Sequence, residues 1–481
     1  MGATGGYEFV VVANRLPVDK VQGQDGDVSW RRSPGGLVTA LEPVMAKADG
    51  AWVGWSGGAG EADAPFDTAG MHLVPVGLSQ QEVEDFYEGF SNATLWPLYH
   101  DVIAPPTFHR RWWEAYVAIS QRFADAAVQL AAPGATVWVH DYQLQLVPAM
   151  LRQRRPDLRI GFFNHIPFPG YEIFAQLPWR RRVVEGLLGA DLLGFQRQGD
   201  ATNFLRACRR SAGLGTRGAT VTVPSGFAGS TETRQVRAAP FPISIDTAAF
   251  AELSAREDVQ ARAREIRSEL GDPKTILLGV DRLDYTKGIL HRLKAFGELL
   301  DDGELQPPDN VFVQVASPSR ERVEQYQLLR DEVEQLVGRI NGTHGTIGHP
   351  AVHYLHSSFP REEMAALYLA ADVMVVTPLR DGMNLVAKEY VACRGDERGA
   401  LVLSEFTGAA DELTAAWRIN PHDVEGTKEA ILAAVRSSAA EQRRRMRALR
   451  KRVSAYDVDH WASTFLEALQ RSGGETAPQP T

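Results

Sequence analysis

Two carboxylates, Asp381 and Glu389, stand where an apolar run gives way to a polar loop and then to a helical pattern. Residues 373–377 are mostly apolar, which predicts a parallel strand buried on both faces. Asn384 begins the helical pattern. Because helical side chains lean toward the N-terminus, both acids can face one ligand. Paired acids accept hydrogen bonds from hydroxyls, so the predicted ligand is a sugar attached to a nucleotide. The alternative is an acidic helix start that stabilises the helix dipole.

A second strand–loop–helix pattern, residues 274–300, carries a basic loop. Arg282 and Lys287 flank the predicted start of its helix at Gly288. Two cations beside free helical N–H groups suit a diphosphate. Alternatively, they are ordinary surface charges near acidic neighbours. The chain lacks the P-loop pattern, and no GxGxxG follows a strand, so nucleotide kinases and dinucleotide oxidoreductases lack their usual fingerprint.

The composition, net charge and cysteine content indicate what kind of protein carries these motifs. The 481 residues are 44% hydrophobic and 23% charged, which is typical of a globular protein with two α/β domains. The net charge of −9 argues against general nucleic-acid binding. Two cysteines without metal or redox spacing favour a reducing compartment. With no signal-peptide pattern and no membrane-spanning apolar stretch, the predicted location is cytoplasmic, without a membrane partner.

Alternating strand and helix signals predict an α/β fold of two Rossmann-like parallel-sheet domains that face a central cleft. We expect domains at residues 1–242 and 243–455, with a helix at 456–472 that crosses back to the first domain. A Gly-, Asp- and Ser-rich stretch, residues 18–34, predicts a mobile loop. The clearest strand patterns are residues 9–14, 136–140, 160–164, 191–195, 275–280, 311–316, 352–355, 373–377 and 400–403.

Polar residues follow several of these strands, among them Arg15, Asp141 and His165. In an open parallel sheet the carboxyl ends of the strands form the ligand-binding edge. A histidine at one strand end is more often a local hydrogen-bonding residue than a catalyst. Several such residues at one edge are a stronger indication of a binding site.

Taken together, these motifs resemble the trehalose-6-phosphate synthases, which are retaining glucosyltransferases of the GT-B fold. The resemblance covers residues 14–461, nearly the whole chain. Its matching blocks are ANRLP, GGL, FSNATLWP, HDYQL, IGFFNHIPFP, DLLGFQ, DRLDYTKG, GRINGTHG and TPLRDGMNLVAKEYVA. The family implies transfer of glucose from a nucleotide sugar, usually UDP-glucose, to glucose 6-phosphate. It places the acceptor in the N-terminal domain and the donor in the C-terminal domain.

The resemblance also implies a role for each matching residue. The acceptor phosphate would meet Arg15, Tyr87 and Arg320, and the acceptor sugar would meet Trp96 and Asp141. His165 would contact the donor glucose near its 6-hydroxyl, and Asp381 would bind other glucose hydroxyls. The remaining donor contacts would be Gly36, Arg282, Lys287, Gly382, Met383, Asn384, Leu385, Val386 and Glu389. Among these residues, His165, Arg282, Lys287 and Asp381 are the predicted catalytic groups.

No metal or other cofactor is expected, since Arg282 and Lys287 would neutralise the leaving diphosphate. The resemblance implies retention of configuration without a protein nucleophile. Two other functions stay open: a related synthase with another phosphorylated acceptor such as glycerol 3-phosphate, and a non-catalytic sugar-phosphate sensor. The sequence leaves open the choice among UDP-, GDP- and ADP-glucose, and whether the chain forms a homo-oligomer.

Overall fold

The computed structural model describes residues 6–22, 28–32, 41, 45 and 49–472. The chain divides into two compact units, one formed by Met1–Ile243 with Asp459–Thr481 and the other by Ser244–Val458. The backbone therefore leaves the first unit after Ile243 and returns to it at Asp459. The ligand roles predicted for the two domains stay predictions.

The first unit is built on a ten-stranded sheet with the order β10-β11-β12-β9-β8-β7-β1-β4-β6-β5. Pairing is parallel from β12 to β6 and antiparallel at both ends. The central strands are apolar on both faces because helices cover both sides of such a sheet. The strands of this unit are β1 (Tyr7–Arg15), β2 (Val18–Gln22), β3 (Val28–Arg32), β4 (Ala51–Trp55), β5 (Phe66–Thr68), β6 (Met71–Pro75), β7 (Ala131–His140), β8 (Arg159–Phe163), β9 (Leu192–Phe195), β10 (Thr216–Arg217), β11 (Thr220–Val223) and β12 (Arg234–Pro240).

The prediction of a loop over residues 18–34 was wrong where the structure describes that stretch, because it contains two strands, whereas the predicted mobility stays a prediction. Strands β2 and β3 pair antiparallel as a separate two-stranded ribbon. Trp30 stacks on Phe66 with ring centroids 4.6 Å apart, and Lys20 Nζ lies 2.6 Å from Asp63 Oδ1. In β3 the apolar residues Val28 and Trp30 lie two apart, a short β pattern that the Gly- and Asp-rich composition obscured. Residues 23–27 and 33–34 lie outside the described residues.

Helices connect the parallel strands of the first unit, and the wide π-helical segment carries Tyr87. The helical segments are Gln80–Glu82, Val83–Leu95 (π-helical), Trp96–Tyr99, Arg110–Leu130, Tyr142–Leu144 (3-10), Val147–Arg154, Tyr171–Phe174, Arg180–Leu187, Gln198–Ala212 and Val458–Ser472. The last of these starts at the chain's return point and packs Trp461 and Phe465 against Trp138 of β7.

The second unit is built on a six-stranded parallel sheet with the order β15-β14-β13-β16-β17-β18. Its strands are β13 (Thr275–Arg282), β14 (Asn310–Ser317), β15 (Val352–Leu355), β16 (Val373–Val376), β17 (Ala400–Ser404) and β18 (Trp417–Ile419). Because β13 pairs with β16, the loops after these two strands lie side by side at the carboxyl edge of the sheet. The loop after β13 is the basic loop, and the loop after β16, residues 377–384 with Asp381, is called the acidic loop.

The nine strands predicted from the sequence are all observed, within two residues at every end except the start of β7, which begins five residues earlier than predicted. The helical segments of the second unit are Thr247–Ala255, Glu257–Glu269, Tyr285–Lys287 (3-10), Ile289–Asp301, Glu324–His344, Arg361–Ala370, Leu385–Cys393, Ala409–Glu412, Val424–Val435 and Ala439–Ala455. Its apolar core lies between the sheet and these helices and includes Leu277, Phe296 and Phe312, all fully buried.

Candidate active site

The basic loop of the second unit joins strand β13 to the helix Ile289–Asp301. Strand β13 ends at Arg282, and a 3-10 turn ending at Lys287 leads into Gly288. Gly288 has a φ of 62°, and a Cβ at this position would overlap the carbonyl oxygen of Thr377. Only glycine fits this close approach. Lys287 therefore lies directly before a helix N-terminus, where unpaired N–H groups favour an anion.

Asp284, fully buried, organises this basic loop. Its Oδ1 accepts hydrogen bonds from the backbone N of Thr286 at 3.0 Å and from the Thr286 hydroxyl at 2.9 Å. Its Oδ2 lies 3.4 Å from Arg320 Nη1 and 3.2 Å from the Tyr326 hydroxyl. Burial opposes its ionisation, but the charges of Arg320 and Arg282 outweigh burial and hold the pKa of Asp284 at about 2. A permanent negative charge thus lies beneath the loop.

Sequence reasoning missed Asp284 and Tyr326 as site residues. It treated Asp284 only as a charge near the surface cations, and Tyr326 lies on a separate helix with no motif around it. A signal for Asp284 did exist, since an aspartate two residues before a threonine is typical of a side chain that caps a turn. No sequence signal connects Tyr326 with the loop.

The acidic and basic loops meet through an ion pair. Lys287 Nζ lies 2.6 Å from Asp381 Oδ2, and their side chains are only 12% and 13% exposed. Asn384 Nδ2 donates to the same carboxylate oxygen at 3.3 Å, while its Oδ1 accepts from the backbone N of Ala387 at 3.0 Å and so caps the helix Leu385–Cys393. A cation and a hydrogen-bond acceptor thus lie next to each other, and these are the two kinds of group that could bind a sugar attached to a phosphate.

Glu389 lies in the second turn of the same helix and is partly buried. Its Oε2 accepts a hydrogen bond from the Tyr368 hydroxyl at 2.9 Å. Burial raises the pKa of Glu389, against the lowering effect of Tyr368 and Arg361. The other predicted donor contacts lie in the loop before this helix or in its first turn: Gly382, Met383, Leu385 and Val386. Gly36 lies outside the described residues.

In the first unit, Arg15 ends strand β1 beside an aromatic pair. Its Cζ lies 5.2 Å from the centroid of the Trp55 ring, and Trp55 lies 5.4 Å from Tyr87, centroid to centroid. Arg15 Nη2 also forms an ion pair with Asp19 Oδ1 at 2.9 Å. The structure therefore brings together the predicted phosphate contacts Arg15 and Tyr87. Sequence reasoning missed Trp55, although it ends a strand next to a glycine-rich loop, which could have marked it.

A second group in the first unit contains Trp96 and Asp141. Trp96 is buried, and its ring centroid lies 5.7 Å from that of Tyr142, the residue after Asp141. Asp141 has a left-handed φ of 74°, and its Oδ1 accepts a hydrogen bond from the backbone N of His165 at 3.1 Å. Non-glycine residues in this conformation occur mostly where surrounding structure demands it. The hydrogen bond between Asp141 and His165 thus links the segments that follow strands β7 and β8 at the carboxyl edge of the sheet.

His165 pairs with a second histidine. Its Nε2 lies 3.1 Å from Nδ1 of His140, the last residue of strand β7. Burial lowers the pKa of His165 to about 3. Burial, together with His165, lowers the pKa of His140 well below its usual value. Both rings are therefore neutral near neutral pH.

The predicted site residues are thus distributed over both units. The first unit holds Arg15, Tyr87, Trp96, Asp141 and His165, whereas Arg320 lies in the second unit, buried against Asp284. Four of the five predicted acceptor contacts therefore belong to the first unit. The roles carried over from the family stay predictions for each of these residues.

Among the residues that the structure describes, no three His, Cys, Asp or Glu side chains are grouped so that they could hold a metal ion. The expectation that the chain needs no metal stays a prediction. No helix within the described part of the chain is long and apolar enough to cross a membrane.

Comparison with protein families identifies the chain's relationship. Residues 7–471 match the model of glycosyltransferase family 20. The chain belongs to glycosyltransferase family 20. A trehalose-6-phosphate synthase of Mycobacterium avium (strain 104) is 60% identical over 474 residues, which cover 98% of this chain and 96% of that protein. A trehalose-6-phosphate synthase of Mycolicibacterium smegmatis is 56% identical over 99% of this chain and 97% of that protein.

Solved structures agree with this assignment. An E. coli structure bound with UDP-2-fluoro glucose is 34% identical, with a TM-score of 0.87, covering 96% of this chain and 99% of that chain. An α,α-trehalose-phosphate synthase (UDP-forming) from Burkholderia xenovorans, in complex with glucose 6-phosphate, is 33% identical, with a TM-score of 0.86, covering 96% of this chain and 100% of that chain. The predicted trehalose-6-phosphate synthase family, GT-B fold class and glucosyltransferase class are confirmed.

Proposed function

We propose that this chain transfers glucose from UDP-glucose to glucose 6-phosphate with retention of configuration, giving α,α-1,1-linked trehalose 6-phosphate. The observation that carries the proposal is the pairing of Lys287 with Asp381 at 2.6 Å, beside Arg282 and a helix N-terminus. A glucose joined to a diphosphate needs a cation for its phosphates and an acceptor for its hydroxyls, and the two loops supply these groups side by side. The relatives named above, and the ligands in their structures, support the same substrates.

In the proposed reaction, Arg282, Lys287 and the helix N-terminus stabilise the diphosphate as it leaves. The bond between the anomeric carbon of glucose and the diphosphate oxygen breaks, and a bond to the 1-hydroxyl oxygen of glucose 6-phosphate forms on the same face. The hydroxyl proton passes to an oxygen of the departing phosphate. Fixed cations contribute most where charge develops, so these groups act mainly in the transition state.

The donor glucose would be held by hydroxyl contacts. Asp381 accepts hydrogen bonds from glucose hydroxyls, and His165 contacts the 6-hydroxyl. Glu389 binds the ribose through the carboxylate oxygen that Tyr368 leaves available. On the acceptor side, Arg15, Tyr87 and Arg320 hold the phosphate, while Trp96 and Asp141 meet the sugar.

A product assay tests this function. The purified chain is incubated with UDP-, GDP- or ADP-glucose and with glucose 6-phosphate or glycerol 3-phosphate, and the product linkage is read by NMR. We expect trehalose 6-phosphate from UDP-glucose, and undiminished activity in EDTA because the cations belong to the protein. A β-linked product, transfer to glycerol 3-phosphate in preference to glucose 6-phosphate, or no transfer at all would overturn the proposal.

Two variants separate the donor and acceptor roles. Arg15→Ala should chiefly raise the KM for glucose 6-phosphate, because a charge-assisted phosphate contact contributes roughly 1.5–3 kcal/mol. Arg282→Ala should chiefly lower kcat, because charge on the leaving group grows in the transition state. Steady-state kinetics with each substrate varied in turn distinguishes them. A larger loss of acceptor affinity in the Arg282 variant would reverse the assignment.

A further inference from the structure

The contact between His140 and His165 contains a proton whose position matters. The two ring centroids lie 5.3 Å apart with the ring planes 25° from parallel, and the gap between His140 Nδ1 and His165 Nε2, 3.1 Å, is a hydrogen-bond distance. Since both imidazoles are neutral, each carries one N–H, and only one of the two facing nitrogens can donate. The direction of this bond therefore fixes the tautomer of both rings.

The surroundings of His140 favour one direction. Its Nε2 is buried and has no hydrogen-bond partner among the described residues. The ring lies among aromatic side chains, with Trp138 at 4.7 Å and Phe163 at 6.5 Å between centroids. A buried N–H without an acceptor is rarer in proteins than a bare acceptor. The proton of His140 is therefore better placed on Nδ1, where it can be donated to His165.

We propose that His140 is a positioning residue: it donates its Nδ1–H to Nε2 of His165 and so holds His165 in the tautomer that presents an Nδ1–H donor to the transferred sugar. The ligand end of this inference rests on the proposed function, which places His165 beside the 6-hydroxyl of the donor glucose. The tautomer itself follows from residues of the first unit alone. A fixed N–H lets the hydroxyl oxygen accept from His165 without any reorientation cost during the reaction.

The tautomer can be read directly without substrate. The full chain is labelled with ¹⁵N-histidine, and long-range ¹H–¹⁵N correlation spectra are recorded near neutral pH. The His165 signals are assigned by their loss in His165→Asn. We expect a protonated Nδ1 and an unprotonated Nε2. A protonated Nε2, or averaged signals of two tautomers, would overturn the proposal whatever the enzyme's activity proves to be.

A matched pair of variants tests the consequence. Asn and Leu have nearly the same shape, but only the Asn amide can place an N–H where His140 carries Nδ1. We expect His140→Leu to have a kcat/KM for UDP-glucose about tenfold below that of His140→Asn, the equivalent of one ordinary hydrogen bond. Thermal unfolding of both variants checks that they are equally folded. Equal kcat/KM values in folded variants would contradict the role.

A donor analogue shows where the effect acts. With UDP-6-deoxyglucose, the acceptor oxygen for His165 is missing, so the difference between the Asn and Leu variants should disappear. If the difference persisted, His140 would act through something other than the 6-hydroxyl contact. If the unchanged chain transferred no glucose, the proposed function would fail, while the NMR measurement would still decide the tautomer.

Discussion

At the scale of single residues, the predicted phosphate-binding cations already have carboxylate partners in the protein alone. Arg15 pairs with Asp19, and Lys287 pairs with Asp381. The two pairs differ in burial, since the Arg15 side chain is 43% exposed and that of Lys287 is 12% exposed. An exposed pair is weak and easily exchanged for a ligand phosphate, whereas a buried pair holds its geometry.

The Arg15–Asp19 pair should compete with the acceptor phosphate. We expect Asp19→Asn to lower the KM for glucose 6-phosphate about two- to fivefold, since an exposed ion pair contributes at most about 1 kcal/mol. The matched control is Asp63→Asn. It removes the ion-pair partner of Lys20, the residue next to Asp19 in β2, and Asp63 contacts no predicted site residue through this pair. Steady-state kinetics checks both variants. An unchanged or higher KM in Asp19→Asn would show that the pair orients Arg15 rather than blocking it.

The paired histidines should make stability depend on pH. His165 has a pKa of about 3 in the folded chain and an ordinary value of 6.5. Its contribution is fully present above 6.5 and is lost as pH falls toward 3, because the unfolded chain then takes up a proton that the folded chain excludes. Between pH 6.5 and 5.5 the free energy of unfolding should fall by about 1 kcal/mol through this residue.

Urea unfolding at the two pH values measures this loss, with His165→Asn as the comparison. The variant lacks the titrating ring, so its stability should fall less than that of the unchanged chain. Equal losses in both proteins would mean that folding does not shift the pKa of His165, so that burial does not exclude its proton.

At the scale of elements, the predicted donor site depends on how one helix begins. Gly288 stands at the N-terminus of the helix Ile289–Asp301 with a left-handed φ, and Gly303 follows the C-terminus of the same helix with a φ of 72°. The two glycines differ in their surroundings. A Cβ on Gly288 would overlap Thr377, whereas a Cβ on Gly303 would meet open space.

These two glycines give a matched test of the loop. Gly288→Ala should weaken UDP binding at least tenfold, because relief of the overlap must move the loop that carries Lys287. Gly303→Ala should cost about 1 kcal/mol of stability through backbone strain but leave UDP affinity unchanged. Isothermal titration with UDP and thermal unfolding check both variants. Equal UDP affinities would show that the glycine is not what positions the loop.

At the scale of the whole molecule, the first unit is completed only by the helix Val458–Ser472, which follows the second unit in the chain. The helix Val458–Ser472 follows the entire second unit, yet its residues from Asp459 onward belong to the first. Phe465 is fully buried and stacks on Trp138 at 4.6 Å between centroids. Gly161 and Gly194 leave room for it, because a Cβ on either would crowd its ring. The first unit thus cannot bury its sheet without the C-terminal helix.

Removal of that ring should destabilise the first unit selectively. Phe465→Ala should lower the free energy of unfolding by about 3–5 kcal/mol, the usual cost of deleting a buried aromatic ring. The control Glu467→Ala changes an exposed position of the same helix and should cost less than about 0.5 kcal/mol. Limited proteolysis should leave fragments of residues 244–458 intact in the Phe465 variant. Loss of both units together would show that they unfold cooperatively.

The sequence by itself determined the strand–loop–helix units and the charges in their loops. Apolar runs, glycine at position 288 and the helix-capping Asn384 are local signals, because strand and helix periods and turn chemistry depend on neighbours along the chain. The resemblance to a known family added the roles of the site residues. The ribbon of strands β2 and β3 was missed because only β3 shows a short alternating pattern and both strands lie within a loop-like composition.

Only the tertiary structure decided which of these residues meet. Lys287 contacts Asp381, 94 positions away, because strand β13 pairs with β16 although β14 and β15 lie between them in sequence. The contacts of Arg320 with Asp284, and of His140 with His165, depend on strand order and side-chain packing in the same way. Strand order is set by the burial of whole apolar faces, a sum over many distant residues, and no local pattern encodes it.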